Sequence, residues 1–161
     1  MSDNEVAKPP EDFEPVPTGL GFTDNLQPLF RRVTERGAEL GLVVGEPHIN
    51  MMGFCHGAVL MCLADIAAAS AINTAAGKIA GSPTINLAVD FITAAKRGQW
   101  IQSHADHVSL RRRFGFCSGV IEGPDGPVAT FKGTFYLPDH DGVWRGPKHD
   151  GGGVLGAGPG E

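Results

Sequence analysis

The chain has 161 residues, of which 42% are hydrophobic and 19% charged, which suits one domain with an ordinary buried core. Its formal net charge of -5 excludes the strongly basic surface that binds nucleic acid or anionic membranes. It has three cysteines, none in a C-x-x-C motif, and no visible signal peptide, so we expect free thiols and a cytoplasmic protein.

The N-terminal part of the chain predicts a lead-in, one helix and one strand. Residues 1–20 are rich in Pro, Glu and Asp, which indicates a flexible segment. Apolar residues then recur at helical spacing over residues 24–36, and Asp24 is a plausible N-cap for a helix there. Pro28 fits such a helix only in its first turn. A short strand is predicted over about residues 39–46. The apolar residues of the predicted helix are Leu26, Leu29, Phe30 and Val33.

Residues 57–77 are apolar and rich in alanine, which predicts a long helix ended by Gly77. The run is about long enough to cross a bilayer, but a charge in mid-span opposes insertion by ~2.5–3.5 kcal/mol. The core helix of a soluble protein is therefore favoured. Asp65 is the only charged residue in this run, so its carboxylate must be solvated, paired or used in catalysis.

The rest of the chain predicts strands and then a tail. Segments 84–92, 100–110, 114–122 and 128–137 are strand-like, and the turn residues 123–126 join the last two into a hairpin. Residues 141–161 are rich in glycine and indicate a flexible tail, which leaves residues 21–140 as the folded domain. One long helix and a run of antiparallel strands make an α+β fold. A helix that is apolar nearly all round needs cover, so we expect a curved sheet around it and a second copy over the remainder.

Residues 50–65 carry the candidate chemistry. A polar loop that includes Asn50 and His56 leads directly into the predicted helix at Gly57. A helix N-terminus presents unpaired N–H groups and a positive dipole, which can stabilise a carbonyl oxygen or an oxyanion. Asp65 lies ~13–14 Å from His56 along the helix, which is too far for both residues to contact one reacting atom. If both serve one site, they come from different subunits.

The pattern N-x-x-G-x-x-H-G at residues 50–57, the helical Asp65 and the amphipathic strand at 84–91 together resemble the hotdog-fold acyl-CoA thioesterases of the phenylacetate-pathway type. The resemblance covers about residues 26–137. It implies a sheet wrapped around one long helix and a homodimer, often paired into a dimer of dimers. It also implies a small-molecule acyl-CoA substrate and no cofactor, since coenzyme A is part of that substrate.

The same resemblance assigns roles to five residues. The Gly57 N–H would polarise the thioester carbonyl, and Asn50 and His56 would shape the same subsite. Asp65 of the facing subunit would be the general base or the nucleophile, and Thr84 would help to orient water.

One residue departs from the family pattern. Ala58 replaces the second glycine of the common H-G-G. The added methyl group narrows the pocket but leaves the Gly57 amide available.

Two further clusters have both a purely structural and a functional interpretation. The Arg111–Arg113 run between two strands is either a solvated turn or a contact for the phosphates of coenzyme A; Arg112 and Arg113 are therefore candidate binding residues. His104, Asp106 and His107 are close in sequence, but strand alternation puts His107 on the opposite face from the other two. No metal site is expected there.

Two rival functions stay open on the same fold. One is a hydratase or dehydratase, which typically pairs an acid with a catalytic His in a different motif. The other is a non-catalytic dimer that binds acyl-CoA without turnover. Neither the acyl group nor the choice between coenzyme A and an acyl carrier protein follows from the sequence.

Overall fold

The fold is described from a computed structural model, which describes residues 6–79 and 81–139. One sheet of seven antiparallel strands has the order β1-β2-β3-β5-β6-β7-β4, and one helix, α1 (Gly57–Ala75), packs against it. Two short 3-10 helices lie at Gly21–Leu26 and Glu46–His48. The strands are β1 (Glu14–Pro15), β2 (Phe30–Thr34), β3 (Gly37–Val43), β4 (Thr84–Phe91), β5 (Trp100–Arg111), β6 (Phe114–Gly123) and β7 (Gly126–Tyr136).

The sheet wraps around α1, which contacts β3, β4, β5, β6 and β7. The covered face of the helix is built from small and aliphatic residues: Leu60, Leu63, Ala64, Ala67, Ala68, Ala71 and Ile72. The helix lies very close to the sheet, since a Cβ added at Gly37 would lie 2.8 Å from the Ala71 Cα. Gly37 also has a φ of +114°, a conformation that side chains disfavour.

The predicted hotdog arrangement is confirmed. The strand predicted at 39–46, the four later strands and the β6–β7 hairpin are all present. The long helix ends at Ala75, and Gly77 follows with a φ of +63° while its N–H donates to the Thr74 carbonyl at 3.1 Å. Gly77 therefore ends the helix in the way that the sequence predicts.

The helix predicted for residues 24–36 is wrong. A 3-10 helix ends at Leu26, and residues 30–34 form β2, which pairs along its whole length with β3. Pro28 has no N–H to continue a helix, while the β3 partners supply hydrogen bonds that local spacing does not reveal. The Asp24 carboxylate accepts from the Gly19 and Leu20 N–H groups at 2.9 and 3.1 Å, so it closes the preceding turn.

The lead-in predicted for residues 1–20 also needs correction where the structure describes it. Phe13 and Val16 are buried, and the Val16 N–H donates to the Leu29 carbonyl at 2.8 Å. The Phe13 ring packs edge-on against Trp100 with centroids 5.1 Å apart. The folded part of the chain thus begins before residue 21. Residues 1–5 and the tail predicted at 141–161 lie outside the described residues.

Among the described residues, α1 alone is long and apolar enough to cross a membrane by length and composition. Its position inside the sheet accounts for that composition, because the core helix of a globular domain has the same properties.

Candidate active site

The start of α1 leaves one backbone donor available. His56 caps the helix: its Nδ1 accepts from the Ala58 N–H at 3.0 Å. Its carbonyl accepts from the Val59 and Leu60 N–H groups at 2.9 and 3.4 Å. Of the first four helical N–H groups, only that of Gly57 has no acceptor within the part of the chain that the structure describes. A free N–H at the positive end of a helix is an oxyanion donor.

The loop before α1 is shaped by Asn50. Its Oδ1 accepts from the Met52 and Phe54 N–H groups at 2.9 and 3.3 Å, and its own N–H donates to the Phe54 carbonyl at 2.8 Å. Gly53 completes the turn with a φ of +81°. Asn50 therefore folds the loop that delivers the chain to Gly57, and its contact with substrate stays a prediction.

Asp65 and Thr84 come together. The Thr84 hydroxyl donates to Asp65 Oδ1 at 2.7 Å. Thr84 opens the edge strand β4, and a register shift between Thr84 and Asn86 follows it directly. Asp65 is half-buried on α1. Thr84, which the family resemblance indicates, and Asp65, the only charged residue of the helix, thus form a single pair.

The Asp65 side chain lines an apolar groove of about 300 Å³. Its wall combines residues from α1, from β4 and from the 3-10 helix Gly21–Leu26. They are Phe22, Thr23, Leu26, Met61, Cys62, Ile66 and Leu87, with Asp65 as the charged group. Burial, and then the negative charge of Asp65, raise the pKa of the Cys62 thiol. Phe22 and Leu26 were not among the sequence candidates, because their segment carries no chemical motif.

Gly57 and Asp65 do not meet in one chain. They are eight residues apart in α1, or ~12 Å along the axis. Phe91 lies over the helix start instead: a Cβ added at Gly57 would lie 3.1 Å from Phe91 Cζ. Phe91 was also missed among the sequence candidates, although strand alternation places it on the same face of β4 as Leu87 and Val89.

The structure does not bring the candidate arginines to Asp65. Arg112 is exposed in the β5–β6 turn with a φ of +53°. Arg113 donates to Tyr136 Oη at 3.0 Å and is ion-paired with Asp139. These two hydrogen bonds raise the pKa of Arg113. Contact of Arg112 and Arg113 with coenzyme A stays a prediction.

A β-bulge changes the expected faces of the histidines in β5. His104 pairs with Val120 and His107 with Ser118, and the register shifts between Ala105 and His107. The extra residue puts both histidines on one face, so the alternation expected for them is wrong. His104 Nε2 lies 3.2 Å from Asp106 Oδ1. Among residues 6–79 and 81–139, no three His, Cys, Asp or Glu side chains form a group that could hold a metal ion.

Several known proteins are similar to this chain in sequence or in fold. The family model described as the thioesterase superfamily matches residues 52–130. A Pseudomonas aeruginosa protein that is named as a proposed esterase is 31% identical to this chain over 130 residues. The alignment covers 80% of this chain and 97% of that protein. The solved structure of a mutant of the phenylacetic acid degradation protein PaaI from Thermus thermophilus has a TM-score of 0.65 at 25% identity, covering 73% of this chain and 98% of that one.

A vertebrate structure shows the same fold at lower identity. Zebrafish thioesterase superfamily member 2 aligns with a TM-score of 0.66 at 21% identity, covering 75% of this chain and 89% of that one. The sequence match to the bacterial relative, the family model and the helix-in-sheet architecture agree. This chain belongs to the thioesterase superfamily and has the hotdog fold.

Proposed function

We propose that this protein hydrolyses acyl-CoA thioesters to a free acid and coenzyme A, in a site shared by two subunits of a homodimer. The observation that carries the proposal is the Asp65–Thr84 hydrogen bond of 2.7 Å at the edge of an apolar groove of about 300 Å³. A carboxylate held by a hydroxyl beside apolar walls suits water activation next to an acyl group.

The chemistry needs few groups, because a thioester carbonyl is electrophilic and a thiolate leaves readily. Asp65 takes a proton from water as the water oxygen attacks the carbonyl carbon, or it attacks directly and water then cleaves the anhydride. The Gly57 N–H of the facing subunit stabilises the oxyanion. The C–S bond then breaks, and the thiolate leaves with the electron pair and gains a proton.

The Thr84 hydroxyl has a defined task in this scheme. It donates to Oδ1 of Asp65, so it fixes the plane of the carboxylate and leaves Oδ2 for water. Asn50 and His56 support the Gly57 donor by shaping the loop and capping the helix.

Three observations support a two-subunit site. The distance of ~12 Å between Gly57 and Asp65 along α1 prevents one chain from supplying both groups to a single carbonyl. Strand β4 is an edge of the sheet, and edges are commonly covered by a partner. Ile85 and Phe91 on that strand are large exposed apolar side chains, at 54% and 55%. We further infer a dimer of dimers that works in the cytoplasm without a cofactor.

The decisive experiment measures free-thiol release with a chromogenic reagent over aromatic, short, medium and long acyl-CoA esters. We expect Asp65→Asn to lower kcat by about 10²–10⁴-fold, the usual contribution of a general base. Asp90→Asn is the matched control, since Asp90 is an exposed carboxylate on β4. No thiol release from any ester by the folded wild-type protein would refute hydrolysis and favour a binding-only role or a dehydratase.

A further inference from the structure

His48 is a fully buried histidine with both ring nitrogens engaged. Its relative exposure is 0%. The Gly45 N–H donates to Nδ1 at 3.0 Å, and Nε2 lies 3.1 Å from the Leu26 carbonyl oxygen. Because Nδ1 accepts a hydrogen bond, it carries no proton. The proton is therefore on Nε2, which donates to Leu26 from a neutral ring.

Leu26, which accepts the hydrogen bond from His48, also lines the groove beside Asp65. Residues 21–26, here called the cavity wall, contribute Phe22, Thr23 and Leu26 to the surface that faces Asp65. His48 is 22 residues away from Leu26 in sequence, so its ring fixes the cavity wall to a distant part of the chain.

The backbone of His48 contacts the start of α1, the helix that also carries Asp65. The His48 carbonyl accepts from the His56 N–H at 2.8 Å. His56 is the N-cap of α1, and the next residue is Gly57. One residue therefore contacts both the cavity wall and the chain segment that presents the oxyanion donor.

We propose that His48 is a positioning residue that fixes the cavity wall relative to the start of α1, and that it thereby sets which acyl groups the groove accepts. The acyl part of this inference rests on the proposed hydrolase function. A histidine that only stabilises the fold would affect every substrate equally and would expose every buried side chain together.

Two conservative variants separate the two ring contacts. The amide nitrogen of His48→Gln reaches the position of Nε2 and can still donate to Leu26. The amide oxygen of His48→Asn takes the position of Nδ1 and can still accept from Gly45, but the bond to the cavity wall is lost. Both are compared with wild type at a temperature where thermal unfolding shows each to be folded.

The first readout needs no catalysis. Iodoacetamide labels Cys62, which is half-buried and lines the groove, while the buried Cys117 on β6 reports general unfolding. We expect His48→Asn to raise the labelling rate of Cys62 about fivefold, the factor that loss of one neutral hydrogen bond gives. His48→Gln should stay near wild type, and Cys117 should not change. Equal Cys62 rates in the two variants, or a parallel rise at Cys117, would overturn the positioning role.

The second readout is the KM for acetyl-CoA and for a larger aromatic acyl-CoA. His48→Asn should raise KM for the larger ester about fivefold with kcat retained, and should leave KM for acetyl-CoA near the wild-type value. His48→Gln should restore both. A uniform loss over the two esters would overturn the selectivity role. If wild type hydrolyses none of the aromatic, short, medium and long esters, the hydrolase proposal fails, while the Cys62 rates still decide whether His48 holds the cavity wall.

Discussion

Thr84→Val removes one hydroxyl and keeps the shape of the side chain, so it isolates the hydrogen bond to Asp65. Hydrogen bonds to charged groups contribute about 1.5–3 kcal/mol. Thr84 is exposed and Asp65 only half-buried, so the lower end of that range applies. A loss of about 1.5 kcal/mol of transition-state stabilisation corresponds to about a tenfold fall in kcat/KM. The assay is thiol release from the best acyl-CoA ester, with kcat and KM determined separately.

Two comparisons decide whether the fall comes from this bond. Thr84→Ser keeps the hydroxyl and should retain most of the activity. In the Asp65→Asn background, Thr84→Val should cost little more, because the two residues act as one unit. The reasoning is refuted if Thr84→Val hydrolyses as fast as wild type, or if Thr84→Ser is impaired as strongly as Thr84→Val.

Three further outcomes are expected. Gly57→Ala should lower kcat with little change in Tm, because the new Cβ lies 3.1 Å from the exposed Phe91 ring and that ring can shift across the oxyanion donor. Adding Phe91→Ala should recover activity. If activity does not recover, displacement of Phe91 is not the cause. Arg112→Ala should raise KM for CoA esters severalfold at constant kcat, and an unchanged KM would remove this residue from the binding site. Burial raises the pKa of Cys55 and Cys117 to about 12. With Cys62 replaced by serine, the folded protein should therefore show no thiolate ultraviolet absorbance up to about pH 10, and a rise near the ordinary thiol pKa of about 8.5 would contradict this.

The sequence predicts the parts of this site that follow from local patterns. Asp65 stands out because it is the only charged residue at 57–77. Thr84 lies in a strand that alternation predicts, but its role follows only from the resemblance to the thioesterase family. The structure places the two side chains 2.7 Å apart. That distance itself was not predicted, since it depends on how α1 lies across β4.

The parts that the sequence does not predict depend on contacts between distant residues. The apolar spacing over residues 24–36 satisfies a helix, yet the pairing of β2 with β3 decides the conformation. Because that segment was assigned wrongly, the cavity wall formed by residues 21–26 could not be placed beside Asp65. His48 has the same difficulty: nothing near it in sequence indicates that its ring reaches Leu26.

The close approach of Gly37 to Ala71 limits how this helix can change. A Cβ added at Gly37 would lie 2.8 Å from the Ala71 Cα, and Ala71 itself is only 2% exposed. A larger side chain at either position would therefore move the helix away from the sheet. A saturation library at Ala71 should therefore yield functional clones with alanine, glycine or serine alone. The same library at Met61, which is 42% exposed beside the groove, should yield many functional residues. Redesign of the acyl preference can thus begin on the outer face of α1, where substitutions leave the spacing of helix and sheet intact.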